Sequence, residues 1–177
     1  MRTVLFRLVG ALLLFAFLAG CKKPSLKNQN GVIEWSLLEE RLDGGLSPNT
    51  YVDDKPLLSW AAYSGNAEAV ALLLRRGADI RSGTHSLSRP ALFVAADSGN
   101  IKIATLLLDA GMDPNVPDMV GIRPLRNAAV CKRLKMVEFL LSRGADPGAK
   151  DTRGQTVVEQ VKGITTPEIL ALLEAKK

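Results

Sequence analysis

Hydrophobic residues return along this chain in blocks at a nearly constant spacing. The alanine pairs Ala61-Ala62, Ala95-Ala96 and Ala128-Ala129 stand 34 and 33 residues apart. A leucine-rich run follows each pair: Leu72-Leu73-Leu74, Leu106-Leu107-Leu108, then Leu140-Leu141. Gly77, Gly111 and Gly144 come next, each fifteen residues after the second alanine. The pattern predicts two short helices per unit. The alanine pair lets them approach closely, and the leucine run is the buried stripe of the second. Gly65 and Gly99 suit a left-handed residue closing the first helix, and Gly77, Gly111 and Gly144 close the second. A period of this length marks stacked units that cannot bury their apolar faces alone.

The same pattern fades at both ends. Val32 to Leu42 predicts an amphipathic helix ending in Gly44-Gly45-Leu46-Ser47-Pro48-Asn49, half a unit that caps the front of the stack. Asp151-Thr152-Arg153-Gly154-Gln155-Thr156 restarts the motif 33 residues after Asp118. Thr166-Pro167-Glu168 then predicts a last helix, Glu168 to Ala175, with Thr166 as N-cap and Pro167 at its first position. The expected organisation is a cap at 32–49, units at 50–83, 84–117 and 118–150, and a C-terminal cap at 151–177.

Before the stack lie a basic start (Arg2, Arg7), an apolar run from Leu8 to Ala19, and Gly20 as a small residue before a cut. This predicts a secretory signal over 1–20, too short for a comfortable membrane span. Lys22 to about Asn30 is polar and aperiodic, so 21–31 reads as a flexible tether. The formal charge of +5 shrinks accordingly. Arg2, Arg7, Lys22, Lys23 and Lys27 all precede the stack, which leaves equal numbers of acids and bases in it. A basic footprint for nucleic acid is missing. The chain has two cysteines, Cys21 and Cys131.

In register, the units read Pro56-Leu57-Leu58-Ser59-Trp60-Ala61-Ala62-Tyr63-Ser64-Gly65-Asn66, Pro90-Ala91-Leu92-Phe93-Val94-Ala95-Ala96-Asp97-Ser98-Gly99-Asn100, and Gly121-Ile122-Arg123-Pro124-Leu125-Arg126-Asn127-Ala128-Ala129. From about Ile33 to the C-terminus this resembles the ankyrin repeat. The resemblance implies an all-α solenoid of helix-turn-helix units with finger-like β-turn loops, no enzymatic activity and no cofactor or metal. It also implies a protein partner held in a groove of fingers and first helices, with the chain a monomer when free. Departures stand out. The family's Thr-Pro-Leu-His histidine is missing from all four motifs, where Ser59, Phe93, Arg126 and Glu159 stand instead. Lys132 replaces the interhelix glycine of the third unit, so that turn is expected to be strained or differently shaped. The second finger is one residue longer and carries His85.

Carried over position by position, the groove candidates on the fingers are Val52, Asp53 and Lys55; Ser86, Leu87 and Arg89; Met119, Val120 and Ile122; and Thr152, Arg153 and Gln155. The first helices add Tyr63, Ser64, Asp97, Ser98, Val130 and Cys131. Leu87, Met119, Val120, Ile122 and Val130 would form an apolar rim, which suggests a binding patch or packing between fingers. On the first reading, Met119→Asp or Ile122→Asp weakens binding without lowering the unfolding midpoint. Arg123, Arg126, Lys132, Arg133, Lys135 and Arg143 make the third unit basic, with Glu138 its acid, which would suit an acidic partner surface. One histidine builds no catalytic triad, and no cluster has metal-ligand spacing. Cys131 reads as a half-buried small side chain or as a contact or redox-sensitive thiol.

Leu18-Ala19-Gly20-Cys21 resembles the bacterial lipobox. That implies cleavage before Cys21 and lipidation of its thiol, with Lys22 rather than Asp favouring the periplasmic side of the outer membrane over the inner membrane. Small ankyrin-repeat lipoproteins of Gram-negative bacteria resemble, as a group, immunity proteins encoded beside secreted antibacterial toxins, including phospholipases delivered by type VI secretion. The implied partner is then a cognate toxin. An envelope scaffold or stress-protection lipoprotein binding a resident periplasmic protein is the alternative.

Overall fold

The computed structural model describes residues 26–27, 32–83 and 89–176. The predicted signal, Cys21 and the second finger's Ser86 and Leu87 lie outside them. The chain divides into two compact units at Ser47/Pro48.

In the first unit the predicted helix over Val32–Leu42 starts late. A 3-10 turn covers Trp35–Leu37 and α1 runs from Leu38 to Asp43. Ile33 pairs with Lys27 in an antiparallel bridge, and Glu34 N–H donates to Leu26 O at 3.0 Å. Extended backbone held this way cannot enter a helix. Leu26 is buried, so this part of the predicted tether is tied down rather than free.

The second unit opens on a hairpin, β1 (Tyr51–Val52) against β2 (Lys55–Pro56). Helix pairs follow: α2 (Leu57–Tyr63) with α3 (Ala67–Arg75), α4 (Ala91–Ser98) with α5 (Ile101–Asp109), and α6 (Pro124–Val130) with α7 (Leu134–Ser142). The C-terminal pair is α8 (Val157–Val161) with α9 (Pro167–Glu174). The first helices α2, α4, α6 and α8 stack on one another in sequence order, and the second helices form the layer behind them. Every residue of the three alanine pairs is buried, as are Leu73, Leu107 and Leu140 of the leucine runs. Side chains this small at the helix interface let backbones pack closely, which puts the core between the two layers.

Caps hold the short helices in place. Asn66 and Asn100 accept from Ala69 N–H and Ile103 N–H, starting α3 and α5. Thr166 caps α9 as the sequence predicts, with Pro167 first in the helix. Glu159, in the family's histidine position, completes a capping box with Thr156.

Lys132 adopts the left-handed conformation (φ 56°) of Gly65 and Gly99 at the equivalent turns. The turn is therefore strained, not reshaped: a Cβ in that region is costly. Lys132→Gly is expected to raise stability by about 0.5–1 kcal/mol, the strain relieved less the added freedom of the unfolded chain. A higher urea midpoint at unchanged m-value would show it, and an unchanged or lower midpoint would contradict it.

Candidate protein-binding surface

The described fingers come in two designs. In the first, Asp53 and Asp54 form a two-residue turn with φ of 47° and 59°. Both central residues left-handed is the turn whose twist matches a hairpin. The third and fourth are loops wrapped on an aspartate. Asp118 Oδ1 accepts from Val120 N–H at 3.0 Å and Ile122 N–H at 2.9 Å. Asp151 Oδ1 accepts from Arg153 N–H at 2.8 Å and Gln155 N–H at 2.9 Å. These two fingers also stack. Thr152 Oγ1 donates to Val120 O at 3.0 Å, and Arg123 donates to Lys150 O at 2.8 Å. Gly121 makes the approach possible: a Cβ there would lie 2.8 Å from Thr152 N, and its φ is +78°.

Beside the first finger is a cluster that the sequence reading missed. Trp60 Nε1–H donates to Val52 O at 2.7 Å, fixing the half-buried indole against the hairpin. Tyr63, one helical turn on, meets it edge-on with ring centroids 5.8 Å apart. Lys55 Nζ lies 4.7 Å from the Trp60 centroid and 5.8 Å from that of Tyr63. Tyr63 is 71% exposed and Tyr51 53%. A rigid aromatic group with one side open to solvent is what binding anchors are made of. The signal was available in the i, i+3 spacing of Trp60 and Tyr63, but Trp60 directly precedes the alanine pair and reads as core.

The middle of the surface is polar and tied together. Arg89, at the base of the second finger, forms an ion pair with Asp97 on α4. Arg133 Nε–H donates to Asp97 O at 2.9 Å, and the Cys131 thiol lies 4.0 Å from Asp97 Oδ1. Burial raises the Asp97 pKa, with Arg89, Asn127 and Arg126 partly drawing it back. Asp151 goes the other way: the Gln155 and Arg153 backbone N–H groups and the Arg153 guanidinium lower it against desolvation. The linkage signs follow. With its folded value raised, Asp97 favours folding below its unfolded pKa, and that contribution is lost as pH rises through the folded value. Asp151 contributes above its unfolded pKa and loses that contribution as pH falls through its folded value. Asp97→Asn should therefore gain stability relative to wild type as pH rises across the carboxylate range, read by denaturant titration at each pH. A pH-independent difference would contradict the assignment.

The sequence-derived candidates divide. Asp53, Lys55, Tyr63, Ser64, Arg89, Ser98, Met119, Val120, Cys131, Thr152, Arg153 and Gln155 are exposed. Val52, Asp97, Ile122 and Val130 are half-buried. Met119 and Val120 at the third fingertip, 59% and 56% exposed, are what the described structure leaves open of the expected apolar rim. The Ser64 and Ser98 hydroxyls turn back onto carbonyls of their own helices. Thr152 joins the third and fourth fingers, and Arg153 closes its own finger on Asp151; both also face solvent. Cys131 is an exposed free thiol rather than a half-buried one. Among the described residues, no group of three His, Cys, Asp or Glu side chains could hold a metal ion, and no helix is long and apolar enough to cross a membrane.

Stacked helix pairs that present one face of fingers and first helices define a repeat protein of the protein-binding class. A family model described as Ankyrin repeats (3 copies) matches residues 26–118 and again 58–151. The chain belongs to the ankyrin-repeat family, whose members generally serve as interaction modules without enzymatic activity.

Proposed function

We propose that this protein is a lipid-anchored immunity protein. It is tethered through Cys21 to the periplasmic side of the outer membrane, and it neutralises a secreted antibacterial toxin, such as a phospholipase, by covering it with the finger and first-helix face. The observation that carries the binding half is the exposed set of Tyr51, Tyr63, Met119 and Val120 on that face, with Trp60 and Lys55 packed behind Tyr63. Tyrosine and tryptophan give large contact area for little lost rotamer freedom. The anchoring half is supported by the Leu18-Ala19-Gly20-Cys21 motif and the apolar run before it. A toxin acting at the membrane would meet its inhibitor already concentrated there.

The test is capture of partners from the native bacterium with the tagged, detergent-solubilised full chain, read by mass spectrometry. A stoichiometric toxin whose activity the chain blocks is the expected result. Recovery of resident envelope proteins alone would replace this reading with that of an envelope scaffold.

A further inference from the structure

The third repeat's cations are not equivalent. Arg143 of α7 pairs with Asp109 of the preceding repeat, so its charge is closed by a carboxylate. Arg123 and Arg133 are held differently. Arg123, at the start of α6, donates to two backbone carbonyls, Lys150 O at 2.8 Å and Gly121 O at 3.2 Å. Arg133, just past the end of α6, donates through Nε to Asp97 O. Its aliphatic stem lies over Gly99, where a Cβ would come within 3.2 Å of Arg133 Cδ. A carbonyl fixes a guanidinium without cancelling its charge. Both side chains are thus positioned before any partner arrives, which removes much of the entropy that a long cation loses on binding. Between them on α6, Arg126 reaches Asn127 Oδ1 at 3.4 Å and also faces the Asp97 carboxylate, which partly offsets its charge. The Nε atoms of Arg123 and Arg126 are buried without an acceptor. Val130 is half-buried and Cys131 exposed along this stretch, and Lys132 and Lys135 are exposed at its far end.

We propose that Arg123 and Arg133, with Arg126 between them, form a fixed cationic seat for the carboxylates of an acidic protein segment. The segment would lie along α6, with Met119 on the adjoining fingertip taking an apolar neighbour. Guanidinium groups offer paired N–H donors in a planar fork that matches a carboxylate. The free lysines Lys132 and Lys135 add long-range attraction but no such geometry. The proposal rests on the protein-binding reading of this face and names the chemistry of what binds there.

The probe is a fluorescein-labelled ten-residue glutamate–glycine peptide titrated against the detergent-solubilised full chain by anisotropy, at low and at physiological salt. Arg123→Gln/Arg133→Gln should weaken binding at least fivefold, whereas Lys132→Gln/Lys135→Gln, which removes the same charge, should weaken it less than twofold. Arg133→Gln, which breaks one hydrogen bond, serves as the milder variant if the double substitution lowers the unfolding midpoint, and should weaken binding at least twofold. Equal losses in the arginine and lysine pairs would reduce the seat to diffuse charge and overturn it. No measurable peptide binding by wild type would overturn it as well. A third arm uses vesicles of phosphatidylcholine with phosphatidylglycerol. Loss of vesicle binding with peptide binding unchanged in the arginine variant would make the patch a membrane contact and overturn the proposal. Failure of the capture experiment would sink the immunity reading. Failure of this titration, with a partner still captured, would sink the acidic seat alone.

Discussion

Phe93→Ala is expected to destabilise the protein by about 3–5 kcal/mol, the range for truncating a buried aromatic side chain. Phe93 is fully buried on α4, the first helix with a stacked neighbour on either side, α2 and α6. It stands where the family carries its histidine, so packing replaces that residue's hydrogen bonds. One helical turn on, Ala96 is also buried, and an alanine has no side chain to swing into a void. In a linear stack each unit is stabilised by its neighbours, so a hole in the middle weakens two interfaces together. Against a total of about 5–15 kcal/mol for a domain, this loss should lower the thermal midpoint by about 10 °C or more. A loss under about 1 kcal/mol would show that the stack closes over the site.

Tyr63→Ala should do the opposite. It is expected to weaken binding of the captured partner by about 2 kcal/mol, or roughly thirtyfold, the scale of an interface anchor. Its effect on stability should stay within about 0.5 kcal/mol, because the ring is 71% exposed. Trp60 would make a poorer test, since its indole is tied to the Val52 carbonyl and its loss would loosen the hairpin. Calorimetric titration and thermal unfolding of the same variant separate the two effects. Unchanged affinity would remove the aromatic cluster from the interface.

Met119→Asp keeps its expected outcome, weaker binding at an unchanged midpoint, because its side chain projects from the fingertip. Ile122→Asp does not. Ile122 N–H is held by Asp118 Oδ1 and its carbonyl by Asp118 N–H, while its side chain is half-buried. An aspartate there would cost stability as well as contact, so a binding defect in that variant says little about the interface. The two residues look alike in sequence. Their difference comes from the aspartate-wrapped loop, which turns residues 119 and 120 outward and 122 inward.

What the sequence determined by itself was whatever is local and repeated. The helix pairs, the buried alanines, the left-handed turns at 65 and 99, and the Thr166-Pro167 start of α9 each depend on a few adjacent residues. A helix period, a φ that favours glycine and an N-cap hydroxyl act within one or two turns of chain, and three copies in register make them unmistakable. Tertiary structure decided which groups meet across units. Arg143 finds Asp109, Arg133 finds the Asp97 carbonyl and Thr152 finds Val120, each pair about one repeat apart in sequence. These contacts arise from how one unit seats on the next, so no short window of sequence contains them. The tie between Leu26 and Glu34 that shortens the first helix was hidden in a stretch that reads as polar spacer. The surface followed the same division. Its location on fingers and first helices was written in the period, whereas the gathering of Lys55, Trp60 and Tyr63 needed the hairpin to fold back over α2. So did the distinction between cancelled and uncancelled arginines need the stack, because a guanidinium's partner is set by what stacking brings within 3 Å of it.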